Sequence, residues 1–385
     1  MRKALPIVAL LAACAGLWLL PGPRRLAEDG ARAVRAEVVE TDDSGLARHG
    51  LVEFGTQRLR VRLADGSVRA AANELRAQME LDKKFAVGDT ALVIVPKDCP
   101  PDEILVARDH WRMGWGFFFF AAFCILLCAF GGWTGAKALF SFVFSCLAVW
   151  KLLIPLSLAG WHASSVAFLT VAALTLVIMY LVAGATRKGV AAFAGAMLGV
   201  VASLALAHLV GRLLHVNGAT MPYAQQLLYS GYSFLDLRDV FTGAIVLAAS
   251  GAVMDLAMDI AAGVSEVKRH NPALGFRALL GSGIRMGRAV VGTMTTTLLL
   301  AYSGGYLTLL MVFAAQGTHP LDFLNTTLVS AELVKTLVGS FGLVLVAPFT
   351  AVASAWIFAN ARQVPGGKWG EPSLAGKVIG GKDHV

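Results

Sequence analysis

Two aspartates, one helical turn apart, stand inside an apolar segment of the sequence. Asp255 and Asp259 occur in the stretch GAVMDLAMDI, residues 251–260, and no other charged residue lies between Val240 and Val264. A carboxylate in hydrocarbon is costly, and two carboxylates that share a site repel each other as anions. The chemistry to expect from such a pair is the binding of a proton or a cation.

The residues around the pair are small. On a helix over residues 240–264, the face that carries both aspartates contains only small or acidic residues, namely Ala244, Ala248, Gly251, Ala252, Asp255, Asp259, Ala262 and Gly263. Small residues let neighbouring membrane helices approach closely. We therefore expect the two carboxylates to face protein and not lipid.

The next apolar segment supplies hydroxyl groups, on Thr293, Thr295, Thr296, Thr297 and Ser303. By helical rise, Asp255 lies roughly 13 Å from a helix end at Val264, and Thr297 lies roughly 12 Å from a helix start at Ala289. Carboxylate and hydroxyl oxygens would then occupy one layer. Such hard ligands suit H⁺, Na⁺, Mg²⁺ or Ca²⁺ better than soft metals, so we expect no cofactor beyond a bound cation.

A fixed positive charge at that depth is not evident. Lys151 and Lys335 stand nearer the opposite ends of their segments, and Glu332 is close enough in sequence to pair with Lys335 at the outer side. The alternative to ion binding is structural. Two protonated aspartates would then bond between helices, and the threonines would bond to their own backbone.

Composition defines the class of protein. Of 385 residues, 57% are hydrophobic and only 15% are charged, whereas soluble domains average about 25% charged residues. The sequence predicts a polytopic α-helical membrane protein. The net charge of +8 comes largely from short loops, where it sets membrane orientation and not nucleic-acid binding.

About eight segments are long enough to cross a bilayer. An N-terminal anchor at 4–20 is followed by seven further spans, at 114–131, 137–158, 164–184, 189–211, 240–264, 289–314 and 333–358. The positive-inside rule places both termini in the cytoplasm, and the amphipathic segment 265–288 is expected on the inner membrane surface. The spans give a seven-helix domain at 111–360 and a cytoplasmic tail at 361–385.

The charged region between the first two spans differs in kind. Residues 24–110 alternate apolar and polar side chains over short stretches, with turns at Asp65-Gly66 and Val87-Gly88. This pattern predicts a small extracytoplasmic β-barrel of the OB-like sort. Residues 1–23 are expected to be a retained anchor, and cleavage or lipidation at Cys14, within Leu-Ala-Ala-Cys, is the alternative.

One block of the sequence resembles a known family. Residues 251–305 read GAVMDLAMDIAAGVSEVKRHNPALGFRALLGSGIRMGRAVVGTMTTTLLLAYSGG, which is similar to the signature region of the YibE/F-like bacterial membrane proteins. The order of an outside β-domain followed by seven spans fits the same family. The resemblance implies a multi-pass protein of the bacterial inner membrane and implies little about its activity, so the functional hypothesis rests on the layer of aspartates and threonines.

Three functions are compatible with these features. The leading hypothesis is an ion- or proton-coupled transporter whose partners are the bilayer and a small ion or solute. The alternative is a non-transporting membrane component that holds or modulates a larger complex through its outside β-domain. A second copy of the chain or another membrane protein is a further partner to expect. An intramembrane aspartyl hydrolase is disfavoured, because such enzymes place their two aspartates on different helices, so we expect no enzyme.

Overall fold

The computed structural model describes residues 14–19, 31–97, 99–100 and 102–360. The fold divides into two compact units, with the division between Phe130 and Gly131. Of the predicted N-terminal anchor, only 14–19 are described, as a helical stretch whose Cys14 and Leu17 pack against Phe144 and Ala148. The proposed cleavage box before Cys14 and the tail at 361–385 lie outside the described residues.

The first unit contains a closed five-stranded barrel. The unit has six strands, β1 (Arg32–Asp42), β2 (Leu46–His49), β3 (Val52–Leu63), β4 (Val68–Arg76), β5 (Thr90–Val95) and β6 (Leu105–His110), and all but β2 form the barrel. They pair in the order β1-β5-β6-β4-β3, β3 closes back onto β1, and β2 adds a short hairpin to β3. The prediction of a small β-barrel is confirmed.

Alternation along β3 shows why these residues form a barrel. Gln57, Leu59 and Val61 are fully buried, whereas the arginines between them face outward. Gln57 is a polar residue in the core, and it is satisfied there: its Nε2 donates to the Phe85 carbonyl at 2.8 Å, and its Oε1 accepts from Phe85 N at 3.0 Å. These bonds hold the β4–β5 connection against the barrel.

Helices make up the rest of the described chain. In order they are α1 (Met113–Ala148), α2 (Ile154–Leu158), α3 (Ala163–Ala183), α4 (Arg187–Leu213), α5 (Ala224–Tyr229), α6 (Leu237–His270), α7 (Phe276–Gly305), α8 (Leu307–Ala315), α9 (Pro320–Asn325) and α10 (Thr327–Ala359). A π-helical stretch, Val149–Leu153, joins α1 to α2. Among the described residues, five helices are long and apolar enough to cross a membrane, or six if α7 and α8 count as one bent span.

Two predicted spans lie within one of those five. Met113–Leu158 is a run of 46 residues, which at 1.5 Å per residue is about twice the roughly 30 Å hydrocarbon thickness. The run is interrupted at Gly132, whose φ of 50° and ψ of −128° are not helical. Glycine tolerates this conformation because it has no Cβ. The full count of eight spans stays a prediction.

The segment predicted to lie on the inner membrane surface is among the described residues, and its place relative to the membrane stays a prediction. Residues 265–288 are almost wholly helical: α6 continues to His270, α7 begins at Phe276, and only a short turn separates them. Lys268 is buried and donates to the carbonyls of Pro272 and Leu274, both at 2.8 Å, which closes the turn. An amphipathic pattern fits either an interfacial helix or the start of a packed one. Here the first turns of α7 pack against the bundle, since Leu279 is buried and a Cβ at Gly283 would lie 2.8 Å from Ala351 of α10.

Helix α6 lies at the centre of the helical unit, with α3, α4, α7 and α10 packed against it. Close approach depends on small residues. A Cβ at Gly195 of α4 would overlap Thr350 of α10, and one at Gly342 of α10 would overlap Ser203 of α4. At these two points α4 and α10 therefore approach each other closely, beside a core of apolar side chains that includes Leu256, Ile260 and Leu343.

Candidate functional site

The two aspartates project from the one face of α6 that the described helices leave open. Val253, Leu256 and Ile260 are fully buried, whereas Asp255 and Asp259 are exposed. At Gly251 on the same stripe, no atom lies within 4 Å of where a Cβ would stand. The periodicity placed both carboxylates on one face correctly, but neighbouring helices cover that face only near Gly263 and leave both aspartates exposed.

Neither carboxylate has a fixed partner in the described part of the chain. No lysine, arginine or histidine nitrogen there lies within 4.0 Å of Asp255 or Asp259, and no hydrogen bond reaches either. The outer-side lysine is engaged elsewhere, because Lys335 Nζ lies 2.6 Å from Glu332 Oε1 and over the Phe241 ring at 5.7 Å. The charge of the aspartate pair is thus not balanced by a basic side chain of these residues.

Helix α7 lies beside the aspartate face. The Met286 sulfur packs on Gly263, where a Cβ would overlap it. Thr293 is seven residues beyond Met286, and Asp255 is eight residues before Gly263, so both lie roughly 11 Å from this contact in the same direction. Met286, Thr293 and Thr297 share one face of α7 by helical periodicity. By this estimate Thr293 and Thr297 lie near the depth of Asp255, and no hydrogen bond joins either of them to Asp255 or Asp259.

The hydroxyls themselves bond to their own helix. Thr293 Oγ1 donates to the Val290 carbonyl at 2.9 Å, Thr296 Oγ1 to Gly292 at 3.0 Å and Thr297 Oγ1 to Thr293 at 3.0 Å. These are the local bonds that threonine makes in membrane helices. Each hydroxyl oxygen still keeps a lone pair that can accept a proton donor or a cation.

Other candidates lie apart from the aspartate face. Thr296 lies on a different side of α7 from Met286, and the enclosed hydroxyl of Thr295 has no hydrogen-bond partner among the described residues. Ser303 Oγ lies 3.4 Å from the Tyr306 hydroxyl, at the 65° bend between α7 and α8. These three residues therefore have weaker geometric support than Thr293 and Thr297.

Sequence reasoning missed two polar clusters. The Tyr302 ring packs on Gly339, one turn from Thr336, and the hydroxyls of both Tyr302 and Thr336 are enclosed without a described partner. Asp239 bonds to Ser164, a residue 75 positions earlier. No local pattern signals such a pairing, because it depends on which helix ends meet.

Long apolar helices packed around a central helix that carries acidic residues, together with a small β-barrel, define a helical membrane protein. The family model described as YibE/F-like protein matches residues 119–360. That is more than half of the chain, and the chain belongs to this family. No curated protein and no solved structure was found to match it.

Proposed function

We propose that this protein is an ion- or proton-coupled transporter of the bacterial inner membrane, in which Asp255 and Asp259 bind the transported or coupling ion. The observation that carries the proposal is an acidic pair in the apolar body of α6, on an open face and without a basic partner among the described residues. Carboxylates facing lipid would be costly. The pair must therefore hold a proton, hold a cation or open to water, and each of these is an element of a permeation path.

Thr293 and Thr297 complete the proposed site as neutral ligands. Their hydroxyl hydrogens are committed to backbone carbonyls, so each oxygen keeps a lone pair that can bind a cation held by the aspartate pair. Two carboxylates with hydroxyl oxygens suit H⁺, Na⁺, Mg²⁺ or Ca²⁺. The proposal assigns no catalytic residue.

Charge supports an orientation. Arg187 and Lys188 begin α4, and Lys268, Arg269 and Arg277 surround the turn between α6 and α7. The positive-inside rule assigns these ends to the cytoplasm. In the proposed topology both termini are cytoplasmic and the barrel region, 24–110, is extracytoplasmic.

The test is transport by purified protein in proteoliposomes. The double variant Asp255→Asn, Asp259→Asn keeps the side-chain volume but removes both charges, and we expect it to abolish flux of the coupled ion. Glu266→Gln is the matched control, because Glu266 lies on the same helix but pairs with Arg269 and His270. Equal flux in wild type and double variant, for protons, Na⁺, Mg²⁺ and Ca²⁺ alike, would refute the proposal.

One observation favours a second candidate function, a non-transporting component that holds a partner through the barrel. A shallow groove of about 300 Å³ opens on the barrel, lined by Leu51, Met79, Lys84 and neighbouring residues. Leu51 is 83% exposed and Met79 71%, which is typical of an interaction surface. In that case Leu51→Ser with Met79→Ser would dissociate a native membrane complex, and the aspartate double variant would leave the complex intact.

A further inference from the structure

Three helix ends meet around one carboxylate on the side of the bundle where α3 begins. Asp239, near the start of α6, has a side chain only 13% exposed. It accepts a hydrogen bond from Ser164 N at 3.2 Å and another from Ser164 Oγ, so it caps the N-terminus of α3 across the bundle. The approach is close, since a Cβ at Gly243 would lie 3.0 Å from the Ala163 carbonyl.

Two histidines flank the same carboxylate. His208 Nε2, near the end of α4, lies 4.0 Å from Asp239 Oδ1, and His162 Nδ1 lies 3.9 Å from Oδ2. His208 Nδ1 is 3.2 Å from the Leu204 carbonyl. A carbonyl oxygen can only accept, so Nδ1 carries the hydrogen in this bond. In the neutral ring, the lone pair of Nε2 therefore faces an anionic oxygen.

We propose that Asp239, His208 and His162 form a proton-binding site that joins the ends of α3, α4 and α6. A proton taken up at His208 Nε2 replaces a lone pair that faces the carboxylate with a positively charged N–H at ion-pair distance from it. His162 adds a weaker contribution, because its side chain is 88% exposed and screened by solvent. The ligand of this site is a proton, and the proposal does not depend on transport by the aspartate pair.

The other charges near Asp239 leave this role to the histidines. Asp236 accepts from Arg238 N at the start of its own helix, and the Arg238 side chain is exposed. On α10, Lys335 is paired with Glu332. Within the described residues, no lysine or arginine nitrogen lies within 4.0 Å of the Asp239 carboxylate. The charge facing it therefore changes only when a histidine takes up a proton.

The stability consequence has a definite sign. A protonated His208 carries a charge that attracts Asp239 and holds α4 to α3 and α6, so this contribution is present at low pH, when the ring is charged, and is lost at high pH, when it is neutral. The test compares thermal unfolding of the full-length protein in detergent, followed by tryptophan fluorescence, at about pH 5.5 and about pH 8. We expect His208→Gln to lower Tm by about 2–4 °C at the lower pH only.

Double variants make the assignment specific. In the Asp239→Asn background, His208→Gln should leave Tm unchanged at either pH. In the Ser164→Ala background, His208→Gln should still lower Tm at the lower pH only. His208→Lys, which stays charged, should show no loss of Tm at the higher pH. His49→Gln in the barrel is the control for general acid effects. An equal effect of His208→Gln at both pH values would overturn the proposal. Should Asp239→Asn fail to fold, the contrast between His208→Gln and His208→Lys still decides.

Discussion

At the scale of the residue, the defining feature is the contrast between Asp255 and Asp259 and their neighbours. The residues between and beside them, such as Leu256 and Ile260, are fully buried in the helical unit, yet both carboxylates are left on an open face. A buried carboxylate without its basic partner is a costly lone charge. Among the described residues, neither Asp255 nor Asp259 has a basic partner. The proposed transport requires this acidic face to exchange its counter-charge with the surroundings.

The ligand role of Thr293 can be separated from its packing role. Thr293→Val keeps the side-chain shape and removes the oxygen, so we expect the apparent affinity for the coupled ion to fall by about 5–10-fold, the equivalent of one hydrogen bond of roughly 1 kcal/mol. Thr296→Val removes the same kind of backbone bond on another side of α7 and should leave affinity unchanged. Ion-dependent flux in proteoliposomes measures both, and equal losses in the two variants would contradict the ligand role.

In the barrel, Asp43 predicts a dependence of stability on pH. The pKa of Asp43 is lowered by a hydrogen bond from Lys84 and, to a smaller extent, by one from Gln57. The donor nitrogen of each lies 2.9 Å from a carboxylate oxygen of Asp43. A lowered pKa in the folded state means that the contribution is present at neutral pH and is lost as pH falls through that pKa. Hydrogen exchange of barrel amides should accelerate in acid beyond the intrinsic rate, and Asp43→Asn should flatten the dependence. An unchanged profile in the variant would contradict this.

At the scale of the element, helix contacts depend on the size of individual residues. Gly195→Ala would place a Cβ 2.6 Å from the Thr350 Cα, and we expect it to destabilise the protein by about 1–3 kcal/mol through overpacking. Gly211→Ala is on the same helix but meets nothing within 4 Å, so it should be neutral or stabilising by up to about 1 kcal/mol. Tm in detergent distinguishes the two, and equal effects would argue against the α4–α10 contact.

Periodicity predicted most elements because burial follows it. The barrel strands alternate buried and exposed residues. Helices α3 and α4 match the predicted spans to within about two residues, whereas α6 and α10 extend up to six residues beyond theirs. Long-range geometry could not be predicted in the same way. The open face around Asp255 and the link between Ser164 and Asp239 depend on which helices meet, and a stripe of small residues reads alike whether or not a neighbour covers it.

At the scale of the whole molecule, two units of different character share one chain. The barrel has its own apolar core around Val38, Val61 and Val93, whereas the helical unit leaves large apolar side chains exposed, as lipid contact requires. Family membership over residues 119–360 covers the helical unit and not the barrel. Family membership therefore gives no information on the role of the barrel.

The proposed topology is testable with single cysteines. Ser44→Cys on the barrel should react with a membrane-impermeant maleimide in intact spheroplasts. Ala273→Cys in the turn between α6 and α7 should react only after permeabilisation. Both positions are exposed, so access to the reagent and not burial decides, and the parent protein corrects for its native cysteines. Labelling of Ala273→Cys in intact spheroplasts would contradict the proposed orientation.

The central claim is that the two carboxylates of α6 exchange a mobile positive charge, and carbodiimide labelling of wild-type protein in membranes tests it most directly. The reagent attacks protonated carboxyls in apolar surroundings, and mass spectrometry locates the adduct. The account predicts an adduct on Asp255 or Asp259 that forms more slowly as pH rises and as the coupled cation is added. A rate of adduct formation that changes neither with pH nor on addition of Na⁺, Mg²⁺ or Ca²⁺ would contradict the claim.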